Sequence, residues 1–155
     1  METKLDITQQ LQSMMKDMDM LSDGVAEKAV EALTESGKLI AAEQRRLISS
    51  RSNKLPGLIK VGKVKVSKKG SAYVTMGYDS DAIKAAPEGV VIEFGRPGEK
   101  SKKVMTQTRN GKKVKVKIGK MESTPHIRRG FDNKQEEAAQ IAVDKLNEAL
   151  KKWGD

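Results

Sequence analysis

The sequence predicts an α+β fold: a small antiparallel β-sheet with a long basic β-hairpin, packed by N-terminal and C-terminal helices. Three observations predict it. Apolar residues return at helical spacing at both ends of the chain, valine alternates with lysine in the middle, and Asn110-Gly111 separates two strand-like runs. The 155 residues fit one domain. It divides into a helical region over 1–50, a β region over 58–122 with the hairpin at 99–120, and a C-terminal helix over 131–153.

In residues 5–21, Leu5, Ile7, Leu11, Met14, Met15, Met18 and Leu21 recur at about helical spacing, which predicts a first helix. Ser22-Asp23-Gly24 interrupts it, and Asp23 is a candidate N-cap for a second helix over 25–48. Val25, Ala29, Ala32, Leu33, Ile40, Leu47 and Ile48 form its apolar stripe, which Gly37 weakens by roughly 1 kcal/mol. Residues 49–57 read as a linker broken by Pro56-Gly57.

Residues 58–66 alternate valine with lysine after their first positions, the period of a strand with one wet face. A turn at Lys68-Lys69-Gly70-Ser71 returns the chain into a partner strand over 72–77. Residues 79–88 read as a loop with room for a helical turn, and 90–94 as a short apolar strand ending at Gly95. Asn-Gly suits a type I′ hairpin turn, whose two central residues take positive φ. It lies between 102–109 and 112–119, and the second arm alternates cleanly from Lys113 to Ile118. The last helix carries Ala138, Ile141, Ala142, Leu146, Ala149, Leu150 and Trp153 on one stripe, with Asp132 as a candidate cap.

Aromatic residues make up only 3% of the chain, so its core must be aliphatic, methionine-rich and thin. A thin core hints that some apolar surface is covered by other subunits. Absence of cysteine removes disulfide scaffolds, thiol catalysis and zinc-finger or iron–sulfur ligation. No apolar run reaches the roughly 18 residues of a membrane span, and the first residues lack a signal-peptide pattern. A soluble protein made in a cytoplasm is expected. Charge is segregated: residues 1–50 carry net −3, 51–129 net +14, and 130–155 net −2. Such a field favours docking on an acidic partner, protein or nucleic acid.

The residues offer no catalytic set and no cofactor site. His126 is the sole histidine and reads as structural or exposed rather than as a base. Glu93, the acidic residue of an apolar run, reads as a carboxylate paired with an arginine or a backbone amide. Gly95-Arg96-Pro97-Gly98 lacks phosphate-loop spacing, and Asp79 and Asp81 do not complete a calcium loop. The strongest functional feature is the basic hairpin with Lys102, Lys103, Arg109, Lys112, Lys113, Lys115, Lys117 and Lys120. Its lysine face could track phosphates, remain solvated to discourage aggregation, or leave the valine face to be buried on a neighbouring subunit. No aromatics interleave the lysines, which argues against stacking on single strands.

Glu93-Phe94-Gly95 and Thr124-Pro125-His126-Ile127-Arg128-Arg129-Gly130-Phe131 carry a family resemblance. The order of parts is similar to that of the gene-ten-like tail-completion and head–tail joining family of long-tailed phages and prophages. Glu93, Phe94 and Gly95 match its first motif; Pro125, Ile127, Arg128 and Phe131 match parts of its second. His126 stands where the family has an aromatic, and Arg129 where it has a second proline. Physically, Gly95 allows a sharp turn, Phe94 and Phe131 would pack the sheet on the last helix, and Arg128 would fork onto Glu93.

The resemblance implies a non-enzymatic virion protein without cofactors, made in the host cytoplasm and placed at the head–tail junction. Its expected partners are itself as a six-fold ring, the head connector or portal adaptor, and tail-tube or tail-terminator proteins. DNA would pass the channel without specific binding, and no membrane is involved. The alternative is a basic nucleic-acid-binding accessory protein.

Overall fold

The computed structural model describes residues 1–14, 23–67, 70–96, 104–109, 112–117 and 119–153. For 13–14, 23, 104–109, 113–117 and 153 the backbone alone is described. The elements, in order, are β1 (Glu2–Asp6), α1 (Thr8–Met14), α2 (Asp23–Ser49), a 3-10 turn (Leu55–Leu58), β2 (Lys60–Val61), β3 (Lys65–Val66), β4 (Ala72–Gly77), α3 (Ser80–Ala85), α4 (Glu88–Phe94), β5 (Val104–Arg109), β6 (Lys112–Lys117) and α5 (Ile127–Trp153).

The fold is α+β, with helices against a small antiparallel sheet. Strand β4 is its spine: β1 pairs along one side, and β2 and β3 both pair along the other. Lys60 faces Gly77 and Val61 faces Met76, whereas Lys65 faces Tyr73 and Val66 faces Ala72. Residues 62–64 therefore oppose two residues of β4, which makes a bulge. The strand expected over 58–66 is thus split, and it starts later because Leu55–Leu58 coil into the 3-10 turn. Ala72, Val74 and Met76 point into the core, as period two requires.

The core lies between the sheet and the α2–α5 pair. Ser36 Oγ donates to the Ala138 carbonyl at 2.7 Å, Asn133 Nδ2 donates to Glu43 at 3.1 Å, and Gln44 Nε2 donates to the Ile127 carbonyl at 3.0 Å. Partners rise along one helix as they fall along the other, so the helices run antiparallel. Small residues bring them together. Ala29, Ala32, Ala41, Ala138 and Ala142 are fully buried. A Cβ on Gly130 would stand 2.5 Å from Gln44 Cγ and 2.9 Å from its Cα and N, so the two backbones touch there. The core is aliphatic but fed by alanine; Met76 is the buried methionine among the described residues.

Three other expectations are corrected. The helix expected over 5–21 gives way at its start to a strand over Glu2–Asp6, because Leu5 and Ile7, two apart, take the strand period and pair with β4; α1 begins at Thr8. Met15, Met18 and Leu21 lie outside the described residues. Residues 88–94 form helix α4, not an apolar strand. A short apolar run does not separate the two, and here Pro87 opens a helix that Gly95, at φ +75°, closes. The last helix begins at Ile127 rather than 131, which leaves Asp132 inside it. The expected loop over 79–88 holds α3, whose N-cap Asp79 accepts from the Ala82 N–H at 2.7 Å.

Strands β5 and β6 pair antiparallel, Val104 with Lys117 through Arg109 with Lys112. The expected Asn110-Gly111 turn, Ile118, and Lys102 and Lys103 lie outside the described residues, so the full basic hairpin of 99–120 does too.

Candidate functional site

The two motifs, about thirty residues apart, meet in space. The N-terminus of α5 leaves main-chain N–H groups that its own helix cannot satisfy. The Glu93 carboxylate, 4% exposed, takes three of them: His126 and Ile127 donate to Oε2 at 2.6 and 2.8 Å, and Arg128 donates to Oε1 at 2.9 Å. Desolvating a carboxylate costs several kcal/mol. Charge-assisted bonds and the positive end of a 27-residue helix offset that cost. The cap of α5 is therefore a side chain from α4. Arg128 reaches Glu93 through its main chain, not through the forked guanidinium expected; its side chain is exposed.

Main-chain bonds extend the join on both sides. Thr124 N–H donates to the Ile92 carbonyl at 2.7 Å, and Arg96 and Met121 exchange N–H···O bonds at 2.8 and 2.9 Å. Gly95 is tied into the same seam: a Cβ there would lie 2.8 Å from the Met121 oxygen and the Ser123 nitrogen. Its positive φ closes a helix rather than a strand.

His126 is enclosed, at 1% exposure, rather than free at the surface. Its Nδ1 lies 3.2 Å from Glu93 Oε2, and its Nε2 lies 2.6 Å from the Tyr78 hydroxyl. This network assigns a neutral ring that donates from Nδ1 to the Thr124 carbonyl, 3.5 Å away, and accepts the Tyr78 proton at Nε2. Burial holds the imidazole below its ordinary pKa, against the opposing pull of Glu93. Burial, with the charges of Glu93 and Glu88, pushes the Tyr78 phenol well above its usual value. Each polar atom here serves its neighbour, and the one hydroxyl bonded to the imidazole, that of Tyr78, is buried with it. Among the described residues no group of acidic and histidine side chains could hold a metal ion.

Outside this buried layer lies a groove of about 320 Å³. From the two motifs it is lined by Glu93, Phe94, Pro125, Ile127 and Arg128. Met1 and, from β1, Glu2 and Thr3 line it as well. Phe94 was expected to pack the sheet on the last helix, yet it is 68% exposed. The helical form of 88–94 explains this: Gly89, Ile92 and Glu93 take the inner face, which leaves the next residue outside. Phe131 is half-buried against the core.

Of the hairpin cations, Arg109, Lys113, Lys115 and Lys117 lie on β5 and β6 by backbone. Lys112 is exposed, and Lys120 is exposed 4.0 Å from Glu122. The groove and the hairpin are separate features. Tyr78, Gln44 and Gly130 went unrecognised in the sequence. Only Gln44 carried a signal, as a polar residue four positions after Ile40 on an apolar stripe.

Residues 12–95 match a family model described as "Bacteriophage HK97-gp10, putative tail-component". The chain belongs to this family. The match spans more than half of the chain and ends at Gly95, the last residue of the first motif. The family is one of phage tail components, which implies a place in the virion and contact with other virion proteins. Its description names no nucleic acid and no reaction. No curated protein and no solved structure matches the chain.

Proposed function

We propose that the protein is a non-enzymatic tail-completion component, a six-fold ring joining the tail tube to the head connector. Membership of the tail-component family supports the class. The observation that carries the finer reading is the groove, because it gathers five of the seven motif residues at a solvent-facing aromatic. A motif whose buried members are spent on a helix cap, and whose aromatic faces outward, suits assembly better than catalysis. A closed ring repeats one heterologous contact around an axis, so each subunit needs two unlike surfaces. The Phe94 groove is one. The basic hairpin, from the most positive part of the chain, is the other, and it docks on protein while DNA passes the channel without specific binding.

Deleting the gene tests this directly. Infected cells should accumulate filled heads and completed tails that remain apart, and supplying the protein in trans should join them. Normal yields of joined, infectious particles without the gene would refute the reading.

A further inference from the structure

Strand β1 has an unpaired side. Tyr78 donates to the Met1 carbonyl and Ile7 donates to the Ala72 carbonyl, so the odd-numbered residues of β1 exchange main-chain bonds with β4. The N–H and C=O groups of Glu2, Lys4 and Asp6 therefore face away from the sheet, and no described strand meets them. Glu2 also lines the Phe94 groove, so the open edge and the apolar cleft are continuous.

The described residues also include a strand pair that joins no described sheet. Among the described residues β5 and β6 pair only with each other. Strand β6 has six residues against the five of β1. Its sequence divides by parity into valines at 114 and 116 and lysines at 113, 115 and 117. Charge fits as well: residues 104–117 hold five basic residues and no acidic one, while the outward residues of β1 are Glu2, Lys4 and Asp6, net −1, with Lys4 2.8 Å from Asp6 and Glu2 left without an ion pair among the described residues. An exposed strand edge beside an apolar pocket is the arrangement that accepts an added strand, with main-chain bonds for affinity and pockets for alternate side chains.

The geometry points to the β5–β6 arm of one copy adding through β6 to the β1 edge of the next, over the Phe94 groove. This inference rests on the ring reading and names its subunit contact. The occupant is a second copy of this chain. The valine parity of β6 then continues the core-facing parity of β1, and the lysine parity falls beside Glu2 and Asp6. The chain has no cysteine, so introduced thiols report without background.

Copies carrying Lys4→Cys would be co-produced with copies carrying Lys113→Cys, Lys115→Cys or Lys117→Cys, and assembled particles oxidised. Using three positions covers shifts of register. The expected result is a disulfide between unlike copies for at least one pair, with its yield lowered about tenfold or more by Phe94→Ser, as loss of one buried aromatic contact implies. Closed rings with no cross-link at any pair would overturn the inference and leave the ring standing. So would a cross-link formed only within one chain of a Lys4→Cys/Lys115→Cys double variant. Particles in which copies of this chain do not touch would overturn both readings.

Discussion

Glu93 decides where the last helix begins. Its carboxylate satisfies three amides that would otherwise be orphaned in a dry environment. Glu93→Ala should lower unfolding free energy by about 3 kcal/mol, and Glu93→Gln by about half as much, because the amide keeps one acceptor. Urea titration at neutral pH measures both; an alanine variant within 0.5 kcal/mol of the parent, roughly the scatter of neutral surface changes, would refute the cap. His126 gives a pH signature. Burial lowers its folded pKa, so the unfolded chain takes up the proton first as pH falls. Stability is then unaffected above the unfolded value of 6.5 and declines as pH drops below it, by at most about 1.4 kcal/mol per pH unit. Paired titrations of the parent and His126→Phe should show this slope only in the parent. Glu43 acts in a separate window: bonds from Arg46 and Asn133 hold it down to about 2 against 4.5, so its contribution is full above 4.5 and lost toward 2.

At the scale of elements, the α2–α5 contact depends on a missing side chain. Gly130→Ala gains roughly 1 kcal/mol of helix propensity, yet places a methyl group against the Gln44 backbone. Separating the helices wins, and a net loss of about 1–3 kcal/mol is expected. Gly57→Ala meets nothing within 4 Å and serves as the neutral control in the same thermal melts. Equal melting temperatures for the two variants would contradict the close approach. Strand β4 and the stripe of α5 were legible because each has a long, clean period. Residues 90–94 were not, since a run of five with four apolar residues suits either structure and only Pro87 and Gly95 marked a helix. Strand β1 is decided by pairing with residues seventy positions away. The Glu93–His126–Ile127–Arg128 join is of the same kind: an acidic residue in an apolar run announced that a partner existed, but not that the partner would be three main-chain amides.

For the whole molecule, stability and assembly should separate. Phe94 is 68% exposed, so Phe94→Ser should leave unfolding free energy within about 0.5 kcal/mol while lowering incorporation into particles about tenfold. Denaturant titration paired with quantitative mass spectrometry of purified virions checks both, and a folded variant incorporated at parental levels would contradict an assembly role for the groove. Glu93 variants, by contrast, should lose fold and incorporation together. The most direct measurement is a cryo-EM map of intact particles at the head–tail junction. A closed ring of six copies of this fold between the connector and the tail tube is the predicted density, with Phe94 turned toward the next subunit. Density for this chain found only elsewhere in the particle, or none at all, would contradict the proposed role.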